Sequence, residues 1–64
     1  MKFTEREIKI LELLAEGKKQ FEIAEELGIS KITLDKELFS LKNGLLAVNI
    51  PNLIYKAFKN GLIK

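Results

Sequence analysis

Apolar residues recur every three or four positions along this chain, and the breaks in that rhythm divide it into four predicted helices. In the first, Ile8, Leu11, Leu14 and Ala15 mark one face, which Ile10 and Leu13 widen. Thr4 and Glu7 have the spacing of a capping box, in which each side chain accepts from the other's backbone amide. Phe3 and Ile8 stand where a hydrophobic staple would fix the entry of the chain. Gly17 suits a left-handed helix end, so the helix is predicted over about 5–16. Lys18-Lys19-Gln20 leads into a briefer helix over about 19–27, with Ile23, Ala24 and Leu27 inward and Glu22, Glu25 and Glu26 outward. The small Ala24 lets two helix axes approach closely.

Gly28-Ile29 is a tight turn, and Ser30 is placed to cap a third helix over about 31–42. Its inward stripe is Leu34, Leu38 and Leu41, then Leu45, with Asn43-Gly44 as the expected C-cap. Asn49 caps a fourth helix over about 50–59, where Pro51 is tolerated because a first-turn amide has no intrahelical acceptor. Leu53, Ile54, Ala57 and Phe58 form its expected buried face, and Asn60-Gly61 its end. No segment alternates with period two, so the fold class read from the pattern is all-α.

Composition narrows the picture. At 64 residues the chain suits one domain, 1–64, that buries only about 60% of its unfolded surface. It contains no cysteine and no histidine, which removes disulfides, thiolate metal sites and the commonest general base. No cofactor is expected. An enzyme is the least expected class, since a small helical domain offers neither a deep pocket nor positioned acid, base and nucleophile groups. The longest apolar run, Leu45-Leu46-Ala47-Val48, is far from a membrane span, and Glu5-Arg6-Glu7 stands where a signal peptide would be apolar. The expectation is a soluble cytoplasmic protein without membrane or small-molecule partners. A Met1 start suits a free-standing protein and a piece of a larger one alike.

Charge adds an asymmetry. Residues 1–26 carry five basic and seven acidic side chains, whereas residues 27–64 carry six lysines against Asp35 and Glu37. A positive half of this kind suits a polyanionic partner. Glu22-Ile23-Ala24-Glu25-Glu26-Leu27-Gly28-Ile29-Ser30-Lys31-Ile32-Thr33-Leu34 also has the spacing of a helix-turn-helix, whose second helix projects outward and can enter a DNA major groove.

On those residues the chain resembles the LuxR-type (GerE-like) DNA-binding domain. Phe3-Thr4-Glu5-Arg6-Glu7-Ile8, Leu11 and Leu14-Ala15-Glu16-Gly17 look like its opening, and Glu22-Ile23-Ala24, Leu27-Gly28-Ile29-Ser30 and Thr33-Leu34 continue in register. The likeness runs without a gap to Ala57 and Asn60-Gly61-Leu62-Ile63. The resemblance implies a four-helix domain of a transcription regulator whose third helix reads DNA and whose fourth often mediates dimerisation. Departures fall on the basic face: the family's usual lysines are replaced by Phe21, Asp35 and Gly44, and often by Ile32, while Glu37 stands where a histidine or similar polar group is common. Val48 and Ile50 lie where basic or polar residues are usual. Asp35 and Glu37 are therefore expected to repel phosphate.

Candidate DNA contacts follow. Ser30, Thr33 and the first amides of the third helix suit one phosphate, helped by the positive helix end. Lys18, Lys19, Gln20, Lys31 and Lys42 would reach further phosphates. Lys36 and Ser40 would face base edges, and Ile32 a thymine methyl. Ile50, Ile54 and Tyr55 are the candidate homodimer residues. The leading expectation is thus a sequence-specific DNA-binding domain acting as a dimer on double-stranded DNA. The alternative is a protein-interaction module on the same scaffold, in which Ile32 and Phe39 face a partner unless Phe39 tucks against Leu62 or Ile63.

Overall fold

The computed structural model describes residues 3–64. They form α1 (Glu5–Ala15), α2 (Gln20–Leu27), α3 (Lys31–Leu45) and α4 (Ile50–Lys59). Each helix begins on a local device. The Glu7 amide donates to Thr4 Oγ1 at 3.1 Å while the Thr4 amide donates to Glu7 Oε1 at 2.8 Å, completing the capping box. At α2, Lys19 has no side-chain acceptor to offer, and only the return half exists, from the Lys19 amide to Glu22 Oε1 at 2.8 Å. Ser30 Oγ accepts from the Thr33 amide at 3.1 Å, and Asn49 Oδ1 from the Asn52 amide at 2.8 Å.

The four helix ends share one closure. In each, a residue of positive φ follows the last turn, and the next amide reaches back five residues: Lys18 to Leu13, Ile29 to Ala24, Ala47 to Lys42 and Leu62 to Ala57. Glycine occupies the left-handed position at 17, 28 and 61, but α3 ends on Leu46 at φ 56°. This corrects the expected Asn43-Gly44 stop. Leu45 is the next residue of the inward stripe and packs against the core, so the helix continues through Gly44 and turns left-handed only afterwards.

The helices form a ring in which α1 packs on α2 and α4, and α3 packs on the same two. At its centre lie Ile10, Leu11, Leu13 and Leu14 of α1, Ile23 and Ala24 of α2, Leu34, Leu38 and Leu41 of α3, Leu53 and Ala57 of α4, and Ile63 beyond it. Two neighbours on different sides explain why α1 buries Ile10 and Leu13 fully, while Ile8 is half-buried and Ala15 exposed. Phe58, expected inside, is 61% exposed. The chain turns at Gly61 and returns Leu62 and Ile63 to the core, while Leu53 and Ala57 are the buried residues of α4. No helix among the described residues is long and apolar enough to cross a membrane.

Candidate nucleic-acid interface

The link from α2 to α3 is short and fixed at both ends. Gly28 adopts φ 66°, which a side chain would strain, and the Ile29 amide donates to the Ala24 carbonyl at 3.0 Å. Ile29 is half-buried against the core, and the next residue, Ser30, caps α3. The buried residues Leu34, Leu38 and Leu41 hold α3 down and turn its opposite stripe, Ile32, Lys36, Phe39 and Asn43, to solvent.

The N-terminus of α3 has donors to spare. Ser30 Oγ accepts from the Thr33 amide and donates to Thr33 Oγ1 at 3.0 Å, so these two side chains satisfy each other. Among the described residues, the amides of Lys31 and Ile32 are left without an intrachain acceptor at the positive end of the helix.

Both acidic residues of α3 are paired within the chain. Lys31 Nζ lies 3.2 Å from Asp35 Oδ2 one turn away, both side chains being largely exposed. Such an exposed pair contributes only about 0.3–0.5 kcal/mol. Glu37 is held differently. Arg6 of α1 donates from Nε to Glu37 Oε1 at 3.1 Å, and its Nη2 lies 2.9 Å from Oε2. The Glu37 side chain is only 17% exposed, and Oε2 is buried and satisfied by this charge at close range without a well-aligned hydrogen bond. Sequence reasoning missed the pair. The available signal was that Glu37 lies three residues after Leu34 and four before Leu41, at the edge of the buried stripe.

The remaining candidates are spread around this helix. Lys18 and Lys19 are exposed in the connection before α2, and Gln20 is half-buried at its start. On α3, Lys31, Lys36 and Ser40 are exposed, whereas Thr33 and Lys42 are half-buried. Ile32 and Phe39 are 69% and 66% exposed, so Phe39 does not tuck against the C-terminal segment. Phe21, at the start of α2, is also mostly exposed.

On α4 the structure divides the three residues expected at a dimer contact. Ile50 and Ile54 pack partly against the core, and only Tyr55 is exposed. The outward stripe is instead Pro51, Tyr55 and Phe58, at helical spacing, preceded by exposed Leu46 and Val48. Lys59 Nζ sits 5.8 Å from the centre of the Tyr55 ring, and Lys56 Nζ donates to the Leu46 carbonyl at the end of α3.

A family model described as bacterial regulatory proteins, luxR family (GerE), matches residues 1–56. No curated protein and no solved structure matches the chain. The segment beyond the match supplies Ala57 and Ile63 to the same core.

Proposed function

The chain belongs to the GerE family, the LuxR-type bacterial regulatory proteins, which are DNA-binding regulators and not enzymes, and from this premise we propose that it is a single domain that binds DNA in a sequence-specific manner with α3 in the major groove. The observation that carries the proposal is the outward stripe of α3, covered by no other element among the described residues, on a helix whose Glu37 is held by Arg6. Insertion brings the amides of Lys31 and Ile32 to one phosphate. Lys18, Lys19, Gln20, Lys31 and Lys42 contact the backbone on either side, with Thr33 and Ser30 steadying the helix start. Lys36 and Ser40 face the base edges. A regulator of this kind works in the bacterial cytoplasm, where the DNA is.

The domain acts as a dimer through α4, with Tyr55 and Phe58 as the contact residues in place of Ile50 and Ile54. Two copies then place two third helices on two half-sites. Fluorescence anisotropy of labelled duplex DNA at two salt concentrations tests the reading. Binding that falls steeply with salt supports it, and no binding by the folded protein at low salt would end it.

A second reading is favoured by the exposure of Phe21, Ile32 and Phe39: a protein-interaction module that kept the scaffold and uses this face for a protein partner. It requires weak, salt-insensitive association with DNA.

A further inference from the structure

Resting on the DNA-binding reading, we propose that Ile32 and Phe39 are specificity-determining residues that select thymine by its 5-methyl group. The outward stripe of α3 runs Ile32, Lys36, Phe39 and Asn43, with the two apolar side chains more than half exposed and flanking a single lysine. In the major groove, an apolar side chain gains contact with a thymine methyl and finds no equivalent on cytosine. Seven helical residues span about 10.5 Å. Successive bases on a strand are about 3.4 Å apart, so Ile32 and Phe39 address positions about three steps apart.

The surroundings favour DNA over a protein on this face. Lys36, Ser40 and the unpaired amides at the start of α3 border the apolar pair, and both nearby carboxylates are held by basic groups. Ile32 and Phe39 therefore supply discrimination while the lysines and amides supply attraction.

The test begins with selection of a preferred site from a random duplex pool. The winning duplex is then made with thymine and with deoxyuridine, which pairs alike and lacks the methyl. Each buried methyl is worth about fourfold in affinity, so losing two lowers affinity about fifteenfold. The salt dependence should stay the same. In Ile32→Ala and Phe39→Ala, whose helicity by circular dichroism serves as the folding control, the deoxyuridine penalty shrinks to that of the remaining methyl. Equal affinity for both duplexes, with steep salt dependence retained, overturns this inference and leaves DNA binding standing. Absence of salt-sensitive binding to any duplex overturns both, and is the outcome expected if this face belongs to a protein.

Discussion

Arg6 and Glu37 join the first turn of α1 to the middle of α3 through a two-point contact, with Nε–Oε1 at 3.1 Å and Nη2–Oε2 at 2.9 Å. The pair is asymmetric, since the arginine side chain is about half exposed and the glutamate is mostly buried. Removing the arginine leaves a buried carboxylate uncompensated, whereas removing the glutamate frees a guanidinium that water can reach.

Arg6→Ala should therefore destabilise the fold by about 1–2 kcal/mol, and Glu37→Gln by less. Adding Glu37→Gln to Arg6→Ala should recover part of the loss. Urea unfolding of the four forms closes the double-mutant cycle, and strictly additive losses would show that the two side chains do not interact.

Among the described residues Leu46 is the one non-glycine residue at positive φ, and at 79% exposed its side chain gains little burial to offset the strained backbone. Leu46→Gly should stabilise the monomer by about 0.5–1 kcal/mol, the strain relieved outweighing the greater freedom of glycine in the unfolded chain. The readout is a higher urea midpoint at unchanged slope, measured at low protein concentration. A lower midpoint would mean that the leucine side chain makes contacts worth more than the strain.

Lys36→Glu should weaken DNA binding at least tenfold and flatten its salt dependence while the helix content stays constant. Lys9→Glu makes the same charge change at an exposed position on α1 and should have a much smaller effect. Equal losses in the two variants would indicate a response to net charge alone and remove Lys36 from the interface.

Tyr55→Asp and Phe58→Asp should leave the fold intact and abolish self-association in sedimentation equilibrium. Ile54→Ala should instead lower stability, by about 2 kcal/mol, because that side chain packs against the core. Association that survives both aspartate variants would place the dimer contact elsewhere.

The parts of this fold legible in the sequence are those decided within one turn. Thr4 and Glu7 meet because a capping box spans three residues, and Ser30 caps α3 for the same reason. The LuxR-type resemblance was readable because its scaffold residues, such as Ala24, Gly28 and Leu34, occupy core and turn positions. Of the four residues expected on the inward face of α4, Leu53 and Ala57 are buried and Ile54 partly so, while Phe58, one residue and about 100° round the helix from Ala57, falls outside the stripe. The end of α3 was misplaced because Asn-Gly is a strong local stop signal, overridden here by the packing of Leu45. On the candidate site, the charges of Asp35 and Glu37 were visible, but the partner of Glu37 lies 31 residues away. Only the fold brings that partner close.

The ring of helices also has a kinetic meaning. Of its main helix pairings, α1 with α2, α2 with α3 and α3 with α4 join helices that follow each other directly in the chain. Each such encounter closes a short loop and sacrifices little chain entropy. The fourth, α1 with α4, spans most of the chain and gains most once the other three have shortened the effective separation of the ends. A topology weighted towards local encounters places the domain among fast folders, with assembly expected in microseconds to milliseconds.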